Sequence, residues 1–90
     1  MESATSKMLL GLGHDRILSI TDRLVKRGSI TLKEKRNLEY LWKPYNDLGG
    51  NGDCKIGYDA CQKLPVVSEE AAEELDVKMK LKEYRYEDRG

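Results

Sequence analysis

The sequence predicts an all-α protein with a small three-helix domain in residues 1–67 and a charged C-terminal helical extension in residues 68–90. Apolar residues recur every three or four positions in successive segments, which is the period of an amphipathic helix. Thr31 and Glu34 have the spacing of a capping box at a helix start, and Gly28 and Gly49 suit helix ends. A chain of 90 residues forms one domain that buries only about 60% of its unfolded surface, so association is expected to add stability.

The first predicted helix runs from about Ser6 to Arg27 and ends at Gly28. Its apolar face comprises Leu10, Ile17, Ile20 and Leu24, widened by Met8, Leu9, Leu12 and Leu18. His14 is the only histidine, and no nucleophile is spaced to serve it, so we expect a satisfied or exposed side chain rather than a catalyst.

The second predicted helix begins at the Thr31 capping box and runs toward Leu48. One apolar stripe on this helix contains Leu38, Leu41, Trp42, Tyr45 and Leu48. Pro44 removes a backbone donor within the stripe, so we expect the helix to kink or break there, with Trp42 and Tyr45 packed over the bend. Trp42 is expected to anchor the core.

A glycine-rich segment separates the second helix from a short third one. Gly49, Gly50, Asn51 and Gly52 tolerate left-handed backbone conformations and predict a chain reversal, a GGNG turn. Beyond it, Ile56, Ala60, Cys61 and Leu64 have helical spacing, and Pro65 ends that helix. Together the two helices predict a helical hairpin with a structural turn.

The same segment superficially resembles a calcium-binding loop, because Asp47, Asn51 and Asp53 surround a central Gly52. The register fails, since Gly49 stands at the third ligand position and Tyr58 at the closing one. The two cysteines, Cys54 and Cys61, are read as buried reduced thiols, and with one histidine they are too few for a zinc site. We therefore predict no metal site, no cofactor and no catalytic residue.

Three motifs resemble a small protein family of bacteriophages that infect Gram-positive bacteria. They are Gly11-Leu-Gly-His-Asp-Arg-Ile17, Gly28-Ser-Ile-Thr-Leu-Lys-Glu34, and Lys43-Pro-Tyr-x-x-Leu-Gly-Gly-Asn-Gly52 followed by Lys63-Leu-Pro65. Members of that family are labelled holin-like, minor structural or membrane-anchored accessory proteins, so the resemblance implies a phage origin. Unlike many of them, this sequence shows no N-terminal apolar stretch of membrane-spanning length and continues well past Pro65.

The C-terminal segment carries the predicted partner-binding residues. Ser68 and the acidic residues after it suit a helix start, but alternation from Leu75 to Leu81 is also typical of a strand; propensity favours a helix from about Glu69 to Tyr84. On that helix, Leu75, Met79 and Tyr86 lie on one side, with Val77, Leu81 and Tyr84 nearly opposite. Because one small domain covers only one side, we expect the other to bind a second copy or a foreign protein.

A basic cluster around the first interhelix turn supports a different function. It contains Arg23, Lys26, Arg27, Lys33, Lys35 and Arg36, with Asp22 and Glu34 between them. Such a cluster can contact nucleic-acid phosphates, although a solvated surface is commoner. The whole chain carries 16 basic and 16 acidic residues, so its net charge favours neither a nucleic acid nor an acidic membrane surface.

The favoured interpretation is a non-enzymatic, phage-encoded binding module that self-associates and engages a protein partner in the host cytoplasm. One alternative is a DNA-binding or replication-organising protein that uses the basic cluster. Another is a virion component or a lysis-related structural part.

Overall fold

The computed structural model describes residues 3–50 and 52–88, with side chains described as far as residue 83. These ranges contain four α-helices and no strand: α1 (Ala4–Arg27), α2 (Leu32–Asp47), α3 (Asp53–Gln62) and α4 (Glu69–Asp88). The all-α prediction is confirmed, and the ambiguous C-terminal segment is helical. The arrangement of three helices followed by a C-terminal helix also agrees with the prediction.

Ser3 caps the start of α1, and its hydroxyl accepts a hydrogen bond from the Ser6 amide at 3.1 Å. Gly28 caps the other end, where φ is 80° and the amide donates to the Leu24 carbonyl. Ile17, Ile20 and Leu24 are buried. Three residues that were expected to widen this apolar face are exposed instead, at 65% for Met8, 52% for Leu9 and 62% for Leu12. The prediction is wrong for them because α2 and α3 cover only a single stripe of α1.

Helix α2 begins at the predicted capping box. The Thr31 hydroxyl accepts from the Glu34 amide at 3.1 Å, and the Glu34 carboxylate accepts from the Thr31 amide at 2.9 Å. The helix does not break at Pro44, which lies in its last turn and is exposed. Water can therefore satisfy the carbonyl that loses its donor, and the Pro44 carbonyl accepts from Leu48 at 3.0 Å.

Tyr45, rather than Trp42, is the buried aromatic residue of α2. Tyr45 is 7% exposed and belongs to the core cluster, whereas Trp42 is only partly buried at its edge. Trp42 stacks on Tyr58 of α3 with ring centroids 4.8 Å apart, and it lies 5.7 Å from Tyr45. The core itself is formed by Ile17, Ile20, Leu24, Ile30, Leu38, Tyr45, Cys54 and Cys61.

The Tyr45 ring is enclosed by two glycines that lie far apart in sequence. A Cβ at Gly13 of α1 would lie 3.0 Å from the ring, and a Cβ at Gly50 would overlap it. Gly49 and Gly52 have positive φ, at 96° and 78°, which favours glycine at both positions. Asn51 lies outside the described residues.

Helix α3 turns its two cysteines toward α1. Both are buried free thiols, as predicted, and they donate to the carbonyls of His14 and Thr21. Gly57 on the same face allows close approach, because a Cβ there would lie 2.5 Å from the Thr21 hydroxyl. Ile56, which has the helical spacing of this segment, lies opposite Cys54 and Cys61 on the helix and is 71% exposed.

Candidate partner-binding site

Helix α4 is connected to the domain by an extended linker. The Ile30 amide donates to the Pro65 carbonyl at 3.0 Å, and the Val67 amide donates to the Ile30 carbonyl at 2.9 Å. These two bonds make Ile30 and Val66 a parallel β-bridge. The Ser68 hydroxyl then accepts from the Ala71 amide at 3.1 Å and caps α4. These contacts fix the point at which α4 leaves the domain.

Beyond its first turns α4 has little support. Among the described residues, α1 is the only helix against which it packs, and Ala72, at 4% exposure, is its buried contact residue. Leu75 and Met79 are partly buried, whereas Val77 and Leu81 are 52% and 58% exposed. Of the six predicted partner-binding residues, Tyr84 and Tyr86 have side chains outside the described residues.

A buried arginine holds α4 against the domain. The Arg27 side chain is 1% exposed and donates to both carboxylate oxygens of Glu34, one of them at 3.1 Å. It also donates to Asp76 of α4 at 3.3 Å and to the hydroxyl and carbonyl of Ser29 at 3.2 and 3.0 Å. Arg27 thereby connects the end of α1, the capping box of α2 and the middle of α4.

The Arg27 ion pair fixes the charge state of its partner. Burial alone raises the pKa of Glu34, but hydrogen bonds from Arg27 and from the Thr31 amide outweigh it and lower that pKa to about 2. The hydrogen bond to Glu34 in turn raises the pKa of Arg27 against the opposing effect of burial. The pair is therefore ionised throughout the neutral range.

An apolar groove with a basic rim lies next to Arg27, between the C-terminal turn of α1 and the middle of α4. Its volume is about 400 Å³, its apolar lining comes from Leu75, Met79 and Leu81, and its rim carries Lys26, Lys78 and Lys82. All three lysines are exposed. The groove thus combines apolar surface with positive charge, which suits an apolar segment that also carries carboxylates.

The predicted basic cluster is divided by the fold. Arg27 is buried in its ion pairs and does not belong to an exposed basic surface, so its placement among the phosphate-contacting residues is corrected. Arg23 is 3.4 Å from the Glu34 carboxylate, which offsets part of its charge. Lys26 lines the groove of α4, and Lys33, Lys35 and Arg36 lie on α2.

The remaining candidate groups do not assemble into a reactive site within the described ranges. The His14 ring lies 3.3 Å from Asp15, its neighbour in sequence, and burial raises the pKa of the Cys61 thiol. No group of three or more His, Cys, Asp or Glu side chains there is arranged to hold a metal ion. Among the same residues, no helix has both the length and the apolar character that crossing a bilayer requires.

Two features of the site were not predicted from the sequence. Arg27 and Asp76 are 49 residues apart, and nothing local in the chain indicates that they meet. Glu34 was predicted as a capping residue, and only the fold adds its second role as the counter-ion of Arg27. Only the burial of Arg27 could have been inferred from the sequence, because Arg27 lies in phase with Ile20 and Leu24 on the buried face of α1.

Comparisons with known proteins give no relative: no family model, no curated protein and no solved structure matches the chain.

Proposed function

We propose that the chain is a non-enzymatic helical binding module that uses α4 to engage a protein partner and to self-associate. The observation that carries this proposal is the exposure of Val77 and Leu81, 52% and 58%, on a helix supported by α1 alone within the described residues. Exposed apolar side chains on a charged helix are typical of helix-mediated recognition. The groove lined by Leu75, Met79 and Leu81 extends this apolar surface.

The proposed origin is a bacteriophage of Gram-positive bacteria, on the basis of the three sequence motifs. In that setting the module acts in the host cytoplasm or as part of the virion. The glycines from Gly49 to Gly52 then form the turn of a helical hairpin with a purely structural role. Positive φ at Gly49 and Gly52, and the close approach of Gly50 to Tyr45, support that role.

Nucleic-acid binding is the second candidate, and the structure favours it less. Burial of Arg27 removes one of the six proposed contacts, and Glu34 lies beside Arg23. Lys33, Lys35 and Arg36 remain as the candidate contacts on α2. A steep fall in DNA affinity with salt, lost in Lys33→Glu/Arg36→Glu, would support this alternative.

The test of partner binding compares three versions of the full chain as bait in extract from infected host cells. The test variant Val77→Glu/Leu81→Glu places charge on the exposed apolar positions of α4. The matched control Ile56→Glu makes the same kind of change at a residue that is 71% exposed on α3. Circular dichroism and urea denaturation check that all three are folded.

We expect quantitative mass spectrometry to show proteins retained by the wild type and by Ile56→Glu but lost from the α4 variant. Retention of the same proteins by all three baits would contradict binding through α4. Recovery of the chain from purified particles would assign the partner to the virion.

A further inference from the structure

Charge is distributed unevenly along α4. Glu69, Glu70, Glu73 and Glu74 lie in its first two turns, whereas Lys78, Lys80 and Lys82 lie in the turns that follow. Four of these residues, Glu70, Glu74, Lys78 and Lys82, are spaced by four positions and are all exposed. Residues at this spacing form one row along a helix surface. The row therefore reads acid, acid, base, base.

Such a row is complementary to itself in only one orientation. A parallel second helix would place Glu against Glu and Lys against Lys. An antiparallel helix related by a two-fold axis near Asp76 places Glu70 opposite Lys82 and Glu74 opposite Lys78, and symmetry repeats both pairs. Self-complementarity of this kind is what a two-fold interface requires.

The same orientation also accounts for the groove. Lys78 and Lys82 form both the basic half of the row and two-thirds of the lysine rim of the groove. An antiparallel second α4 brings its Glu70 and Glu74 to that rim and its Ala71 toward Leu81. Leu81, which is 58% exposed, then becomes covered, together with the apolar lining from Leu75.

We propose that the groove between α1 and α4 is filled by α4 of a second copy of this chain, docked antiparallel, with Glu70 and Glu74 of each copy paired with Lys82 and Lys78 of the other. The proposal rests on the self-association in the proposed function and adds the surface, the orientation and the charge pairs. Its experiment measures self-association alone, and the capture of a foreign protein has its own test.

The experiment measures the molar mass of the full chain by sedimentation equilibrium over a range of concentrations. We expect the wild type to approach twice the 10.3 kDa mass of one chain. Glu70→Lys/Glu74→Lys turns all four intermolecular pairs into repulsions, as does Lys78→Glu/Lys82→Glu. Because four attractive pairs become repulsive, each variant should weaken dimerisation at least about tenfold.

Mixing the variants tests the charge pairs, and charge exchange within one chain tests the orientation of the helices. An equimolar mixture of the two variants regains all four attractive pairs and should form a heterodimer. The quadruple variant, which exchanges the charges within one chain, should form a homodimer again if the helices are antiparallel, but a parallel pair would stay repulsive. Raised salt should weaken the wild-type dimer.

The matched control is Glu69→Lys/Glu73→Lys. It reverses two charges in the same first turns of α4, changes the net charge by the same amount, and lies outside the row. We expect this control to dimerise as the wild type does, and circular dichroism confirms that every variant keeps its helices. Lys78→Glu/Lys82→Glu leaves the start of α4 unaltered, so its result can be interpreted even if Glu70→Lys/Glu74→Lys loses helix.

Three outcomes would overturn the proposal. They are a wild type that stays monomeric at concentrations of about 1 mM, row variants that dimerise as well as the control, or a mixture of variants that stays monomeric. A monomer that still captures a foreign protein through Val77 and Leu81 would reject the antiparallel dimer and leave partner binding supported. A dimer that captures no foreign protein would support the antiparallel dimer and contradict partner binding.

Discussion

Replacement of Glu34 by glutamine tests the central ion pair without removing the helix cap. Glutamine occupies the same position in a capping box and can still accept from the Thr31 amide, so the substitution removes the charge opposite Arg27. A pKa lowered from 4.5 to about 2 corresponds to about 3 kcal/mol of folding free energy. Because the Glu34 side chain keeps 23% exposure, we expect Glu34→Gln to cost about 2–3 kcal/mol at neutral pH.

The pH dependence of that cost gives the sharper test. The pKa of Glu34 is lower in the folded chain, so its stabilising effect is present above pH 4.5 and is lost as the pH falls toward about 2. Urea denaturation of both proteins across this window should show the difference in unfolding free energy shrinking toward zero. The control Glu39→Gln changes an exposed glutamate of the same helix and should produce little difference at any pH.

Two results would refute this reasoning. A neutral-pH cost below about 0.5 kcal/mol would place Glu34→Gln among ordinary surface substitutions. A cost that stays constant between pH 6 and pH 2 would mean that the lost charge is not its source. Either result would mean that the bonds with Ser29 and Asp76, and not the charge of Glu34, hold Arg27 in place.

Three further predictions concern the core and its surroundings. Gly50→Ala should destabilise the domain by about 1–3 kcal/mol, since the new methyl overlaps the buried Tyr45 ring. Its control Gly11→Ala, with no neighbouring atom within 4 Å, should stabilise the domain by up to about 1 kcal/mol. Urea titration measures both, and an unchanged stability of Gly50→Ala would contradict the contact with Tyr45. Trp42→Ala should leave a folded domain weakened by about 1–3 kcal/mol, because Trp42 stacks at the core edge, and full unfolding by circular dichroism would place it in the centre. Cys61 should react with a thiol reagent only at the rate of unfolding, because burial raises its pKa, and rapid labelling of the native chain would contradict this.

Features fixed by neighbours in sequence were predictable, and features fixed by distant contacts were not. Thr31 and Glu34 are three residues apart, so the spacing alone predicts their reciprocal hydrogen bonds and the start of α2. Helical spacing also identified α3, but it gave no information on which side the rest of the chain covers. Ile56 and Cys61 are equally compatible with a helix, and only the position of α1 determines that Cys61 is buried and Ile56 exposed.

The same limit explains the candidate site. A run of arginine and lysine residues around a turn is typical of a solvated basic surface, and nothing in the local sequence distinguishes Arg27 from its neighbours by charge. The distinction arises because Asp76, which is 49 positions later, is brought to Arg27 when α4 folds back on α1. That α4 keeps exposed apolar residues was predictable in kind, since apolar residues on two sides of a helix exceed what one small domain can cover. The pattern did not predict that Leu81 lines the same groove as Leu75 and Met79.

Arg27 therefore relates the stability of the domain to the geometry of the proposed interface. Its bonds to Glu34 hold the end of α1 against the start of α2, and its bonds to Asp76 set the position of α4 on α1. Asp76 lies at the level of α4 where the two-fold axis of the proposed dimer passes, but on the side of the helix opposite the row, where it contacts Arg27. Since breaking a buried ion pair leaves an uncompensated charge, a chain that loses this contact loses both a stabilising interaction and the fixed orientation of the row that the second copy must match.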